Sequence, residues 1–329
     1  MRGRMIKAAA ALVCAATLAG CAQAPSEPRE PLQISDTPAY EEGSITPPFW
    51  VAEDEATGAQ IFLLGSMHAG RSGDSYPDYV LEAFENSAWA AAEMDTQAFA
   101  RDAALQNKCA GYLTLSGSAQ DVMGGLYQEA VEFFQGKGLY QPAMDRMIPF
   151  YWVSAASSLV IDQAGLDTSA GTEAVFLQLA RSQNKEIIEI EGGEAQYKMM
   201  GGIPMSIQLG LLSEALGDDK ITAQAEESSE LYEAWSSFDE DYLRGLTVFD
   251  PDQVDSPEDW QAYYDMMYTD RQKLMSEFII SRLEDGELGF VFVGTMHFYA
   301  EPSILSQLSD AGYTVRKLCP DRNSGSAAA

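Results

Sequence analysis

Two short stretches carry the residues best suited to chemistry. They are Phe62-Leu63-Leu64-Gly65-Ser66-Met67-His68 and Phe292-Val293-Gly294-Thr295-Met296-His297. Each is an apolar run followed by Gly, a small hydroxyl residue, Met and His. The chain has only 2 histidines, and both stand in this pattern. Gly fills 27 and Met 14 of 329 positions, so a matching Gly and Met arise by chance roughly once in 300, and the pair reads as an internal repeat. Neutral imidazole is the commonest metal-binding side chain. Two imidazoles with a carboxylate suit a divalent transition metal (Mn, Co, Zn or Fe) that keeps open positions for water and substrate. Such an ion acidifies bound water and polarises a carbonyl.

The elements that must position these histidines are strands. Four to eight apolar residues bounded by Gly read as a buried strand. A strand that stops at Gly-x-x-His delivers its histidine to the carboxyl edge, where open α/β sheets bind ligands. Gly65 and Gly294 would let the backbone turn sharply or pass close to a neighbour. Phe49–Ala52 and Ala59–Leu64 flank Glu55-Ala56-Thr57-Gly58, a hairpin pattern. Asp74–Asn86 has helical spacing with Tyr79, Val80, Ala83 and Phe84 inward. Ala88–Asp95 reads as a strand ending in acid, so the unit is βαβ and its strands are parallel. That places Glu93 at the same sheet edge as His68.

Residues 97–183 are mostly helical, with Asp121–Gln135 and Arg146–Gln163 the clearest stretches and a helix from Thr172 that opens on Glu173. Lys185–Glu191 alternates charged and apolar residues like a half-buried strand and again ends in acid. Residues 194–285 are helical once more, chiefly 226–244 and 257–283. Trp260, Tyr263, Tyr264, Met267 and Tyr268 share helical spacing there and are expected in the core. Strand Leu288–Val293, the second motif, helix Pro302–Ser309 and strand Tyr313–Leu318 close the chain.

The candidate site therefore joins His68, His297 and Glu93, with Glu191, Glu173 and Asp95 in reserve. A spare carboxylate could act as general base. Arg271 and Lys273, rare cations in an acidic region, could stabilise charge in the transition state. Met67 and Met296 suggest a rival soft-ligand copper site. Adjacent residues of extended chain point to opposite sides, which argues against Met and His of one motif sharing an ion. No Gly-x-Ser-x-Gly elbow and no Walker loop occurs.

Asp plus Glu number 50 against 20 Lys plus Arg, a net charge of −30. Nucleic acid is excluded as a partner, since phosphate binding needs clustered basic residues. Arg2, Arg4 and Lys7 precede a short apolar segment, Ala8–Leu18, and then Leu18-Ala19-Gly20-Cys21. This is a secretory signal peptide, and its end resembles the bacterial lipobox, which implies cleavage before Cys21 and lipidation there. The expected location is extracytoplasmic, anchored to a membrane by that lipid. Cys109 and Cys319 remain, a pair open to disulfide formation in an exported protein. The layout is a signal peptide over 1–20, a disordered tether over 21–47, one domain over 48–319 and a loose tail over 320–329.

Taken together, these residues resemble the TraB/PrgY/GumN family, which includes the Tiki proteins. The resemblance rests on the two Gly-x-x-His motifs and on Glu93-Met94-Asp95 after the first. Pro48-Phe49-Trp50-Val51, Glu189-Ile190-Glu191 with Gln196, and Asp270-Arg271 are similar too, although Gln272 stands where Asn is usual. Gly289–Leu318 fits best, and the likeness spans about 47–319. It implies an α/β fold: a central mixed sheet of two related ββα-type halves with a large helical insertion between them. For Tiki-like members it implies metal-dependent proteolysis, with both histidines and Glu93 at the metal. Other members are linked to blocking peptide pheromones. The expected function is a lipid-anchored metal-dependent hydrolase, acting on peptides. The alternative is a non-catalytic lipoprotein that sequesters a peptide or small ligand.

Overall fold

A computed structural model describes residues 31–247 and 256–320. The signal segment 1–20, Cys21, the start of the expected tether and the tail beyond Pro320 lie outside the described residues. Apolar runs form the middle of a single sheet, and alternating runs form its edges, as expected when helices cover both faces. The strands are β1 (Phe49–Asp54), β2 (Ala59–Ser66), β3 (Trp89–Ala92), β4 (Glu186–Glu189), β5 (Leu288–Gly294) and β6 (Thr314–Lys317). Their order is β4-β3-β5-β2-β1-β6. β3, β2 and all but the last residue of β5 are buried, whereas β4 and β6 are half exposed. β1 and β2 form the expected antiparallel hairpin. β2 and β3 run parallel as expected, yet they are not neighbours, because β5 lies between them and pairs parallel with both.

Helix α1 (Asp78–Asn86) joins β2 to β3. Five helices follow: α2 (Thr96–Phe99), α3 (Ala103–Tyr112), α4 (Ala119–Met123), α5 (Gly125–Gly136) and α6 (Pro149–Gln163). Then α7 (Thr172–Ser182) leads into β4. Between β4 and β5 stand α8 (Gly193–Gly202), α9 (Met205–Ala215), α10 (Asp218–Ser236), α11 (Glu240–Gly245), α12 (Pro257–Tyr264) and α13 (Asp270–Glu284). Helix α14 (Ile304–Asp310) joins β5 to β6. The expected helix over 121–135 is split at Gly124, whose φ of 54° cannot continue a helix. A π turn, Asp265–Thr269, interrupts the stretch over 257–283.

Each motif strand thus runs strand, His turn, helix, strand, and the two units interleave so that β2 and β5 are central neighbours. On one face Phe62, Phe290 and Phe292 pack with Phe84 of α1, Phe176 of α7 and Trp235 of α10. On the other, Ile61, Leu63, Val291 and Val293 meet Ile279 of α13 and Leu308 of α14. Helices α5, α6, α9 and α12 gather a separate core around Trp152, Phe134, Leu212 and Trp260.

Two expectations change. Residues 31–47, placed in a loose tether, form no helix or strand but lie against the domain. Leu32 N donates to Gln60 Oε1 at 2.7 Å, and Thr46 N donates to Ser236 O at 2.7 Å. Neither Cys109 nor Cys319 forms a disulfide. Cys109 is buried with Met94 and Phe99, whereas Cys319 packs in the cluster around Ile279, so no bridge joins them. Among the described residues no helix is long and apolar enough to cross a membrane.

Candidate active site

The cavity opens where β2, β3 and β5 end. In the β2–β5 ladder Ser66 stands opposite Gly294, so the two Gly-x-x-His turns leave the sheet side by side. Thr295 Oγ1 ties them together by donating to Ser66 O at 2.9 Å. The glycines serve close approach rather than a left-handed turn: Gly294 has φ −48°. A Cβ on Gly65 would stand 2.8 Å from Thr295 Oγ1, and one on Gly294 would stand 3.2 Å from Glu93 Oε1.

His68 is held from behind. Its Nδ1 lies 3.1 Å from Glu173 Oε1, in the first turn of α7, and Ser66 Oγ donates to that same oxygen at 2.5 Å. A carboxylate is favoured at a helix N-terminus. Burial disfavours the charged imidazole, but the Glu173 charge and hydrogen bond outweigh it and carry His68 up to about 9. Burial likewise opposes ionisation of Glu173, yet His68 and Ser66 keep its pKa below the ordinary value.

His297 sits in the 3-10 turn Thr295–Phe298. Gln272 of α13, fully buried, clasps this turn by donating to His297 O at 3.2 Å and Ala300 O at 2.9 Å. The departure from Asn at this position therefore still yields an amide that serves the site. Tyr268 stands edge-on to the imidazole at 5.9 Å. His297 Nδ1 is buried without a partner, and Nε2 lies 3.6 Å from Glu93 Oε1. Burial, then the Arg271 charge, push His297 down to about 3, so it is neutral.

Glu93 follows β3, as placed from the sequence. Its Oε1 accepts from Gly294 N at 2.8 Å, and its Oε2 accepts from Arg271 Nη2 at 2.5 Å and Gln196 Nε2 at 3.0 Å. Burial raises its pKa, but Arg271 and the two histidines prevail and bring it down to about 2. Arg271 also grips Glu191, through Nε at 2.6 Å and Nη2 at 2.8 Å. This fork is the bidentate geometry that guanidinium makes and ammonium cannot.

The structure thus brings together His68, His297, Glu93, Glu173, Glu191 and Arg271. Asp95 is not among them: it caps α2 and pairs with Arg181 at 2.5 Å. Lys273 is exposed on α13. Met67 and Met296 do line the cavity beside their histidines, because the chain past each strand turns instead of staying extended. Met267 and Tyr268, expected in the core, line it as well, while Trp260 and Tyr263 are core. Spacing could not separate them, since one helical stripe passes from core to cavity at the π turn, a feature frequent at functional sites.

For a divalent ion the donors fit in kind and partly in place. Two donors on one ion with bonds of ~2.1 Å stand roughly 3.4 Å apart in a tetrahedron, close to the 3.6 Å between His297 Nε2 and Glu93 Oε1. The Glu173–His68 contact is the carboxylate backing that metal-bound imidazoles carry. Against this, among the described residues no three His, Cys, Asp or Glu side chains are gathered as a metal shell.

Fold and cavity define an α/β protein with a His and carboxylate site at the carboxyl ends of parallel strands. The chain belongs to the TraB/PrgY/gumN family, which it matches over residues 48–317. No curated protein and no solved structure matches it.

Proposed function

We propose that the chain is a metal-dependent hydrolase acting on peptides, exported and anchored at Cys21. The observation that carries this reading is the meeting of two distant Gly-x-x-His turns beside one carboxylate. His68, His297 and Glu93 would hold the ion. A bound divalent ion supplies Lewis acidity for an acyl carbon and acidity for a water. The residues around it prepare that chemistry. Glu173 holds Nδ1 of His68 and leaves Nε2 available to the cavity. Gly294 N–H and Arg271 fix both oxygens of Glu93. Glu191 fixes Arg271, which in turn holds the Glu93 carboxylate in place. Neither Glu191 nor Glu173 lines the cavity, so each is assigned support.

The test is bound metal per chain, together with cleavage of a peptide library in Mn, Co, Zn or Fe. The expected result is near-stoichiometric metal and cleavage, both lost in His68→Ala and in His297→Ala. Metal content unchanged in both variants would overturn the shared site. The second reading, a lipoprotein that sequesters a peptide or small ligand, is favoured by the lack of a gathered donor shell among the described residues. It predicts peptide binding without turnover in any of the four metals.

A further inference from the structure

Apart from Ser228, the rest of the cavity wall is apolar, and it is rich in methionine. Methionine is 14 of 329 residues, so a wall of 21 residues would hold about one at the chain's own composition. This wall holds Met67, Met199, Met200, Met267 and Met296. They come from separate places: the two His turns, α8 and the π turn. Leu231 and Trp235 of α10, Phe150 and Ile161 of α6, and Ala69 and Leu166 add to the apolar lining. A cluster assembled from four segments is a property of the fold, not of one biased stretch.

The charges in the cavity are already spoken for. Glu93 pairs with Arg271, and His68 pairs with Glu173. A charged side chain entering the wall would lose its water and find no free counter-charge. The cavity volume is about 180 Å³. One water needs ~10–15 Å³ on this measure, so there is room for roughly a dozen heavy atoms. That suffices for one large side chain and the amide beside it. Unbranched thioethers adapt to apolar groups of varied shape.

We propose that this methionine wall is a subsite for a large, uncharged, apolar residue of a peptide, adjoining the bond presented to the two histidines. The orientation rests on the peptidase reading, but binding of the side chain does not.

The experiment uses the full chain in detergent and two hexapeptides that differ at one central residue, Phe against Asp. Binding is followed by calorimetry with a chelator present, and cleavage is followed separately in the four metals. The Phe peptide is expected to bind roughly 10- to 150-fold tighter, the value of burying one large apolar side chain. Met199→Glu should erase that preference. Leu231→Ala, which adds no charge, should weaken Phe binding and keeps the test open if the Glu variant does not fold. Met199→Leu keeps apolar volume without sulfur and should bind the Phe peptide within about threefold. Equal binding of the two peptides overturns the subsite. So does a Leu variant as impaired as the Glu variant, which would make sulfur itself the ligand. Binding with the expected preference but no cleavage keeps the subsite and sinks the peptidase reading. Cleavage without preference does the reverse.

Discussion

Arg271 is the residue on which the cavity's charge balance turns. Its side chain is 12% exposed, against 10% for Glu93 and 4% for Glu191. Breaking a buried pair from one side leaves uncompensated charge and costs about 3–5 kcal/mol. Arg271→Met should lower the unfolding free energy by that order, and adding Glu93→Gln with Glu191→Gln should return part of it; urea unfolding reads both. A loss under about 1 kcal/mol would mean that water already screens the carboxylates. The histidines set the pH dependence of the metal-free protein. His297 is buried neutral, with its pKa depressed from 6.5 to about 3, so its favourable state is intact above 6.5 and penalised as pH falls toward 3. Glu93, depressed from 4.5 to about 2, stabilises above 4.5 and ceases to as pH falls through 2. His68, raised from 6.5 to about 9, stabilises below 6.5 and ceases to as pH rises through 9. Chelated protein should therefore be most stable near pH 6.5. His297→Gln should flatten the acid limb and His68→Gln the alkaline limb of a melting-temperature profile. A limb indifferent to its variant refutes that assignment.

At the scale of elements, the site depends on how closely β2, β3 and β5 approach past their ends. Gly65→Ala and Gly294→Ala would force a methyl against Thr295 Oγ1 and Glu93 Oε1. Overpacking of this kind costs about 1–3 kcal/mol. By contrast, Gly210→Ala in α9 meets nothing within 4 Å and should stabilise by about 0.5–1 kcal/mol. Thermal unfolding of the three variants tests the contrast, and equal effects would show that close approach is not what selects the motif glycines. Gln272→Leu strips both donors from the His297 turn, so a loss of about 1–3 kcal/mol is expected. Metal binding should weaken with it, because the turn that aims the imidazole is released. Full metal affinity in a destabilised Gln272→Leu protein would make the clasp structural only.

Across the whole molecule the dominant quantity is charge. A net charge of −30 on the whole chain repels itself and disfavours the compact state. Salt shortens the reach of that repulsion to about 8–10 Å at ordinary ionic strength. Raising NaCl from about 10 to 200 mM should therefore raise the melting temperature. A fall would show that exposed ion pairs such as Arg71 with Glu233 outweigh the repulsion. The helices around Trp152 bring α6 and α8 over the carboxyl edge of the sheet, so the cavity is walled by chain far from either motif.

By itself the sequence determined the strands, the two His turns and Glu93 at the shared edge. Apolar runs, a repeated motif and an acid at a strand end are local properties, and the right-handed βαβ rule carries them into space. The tertiary structure alone decided that β5 slides between β2 and β3, which is why both histidines line one cavity. It also decided partners across long loops: Glu173 is 107 residues from Ser66, and Arg271 is 178 residues from Glu93. Asp95, two residues beyond Glu93 and equally acidic, went to Arg181 instead. Strand order and the choice of counter-charge are set by packing of distant segments, so residue type and spacing leave them open.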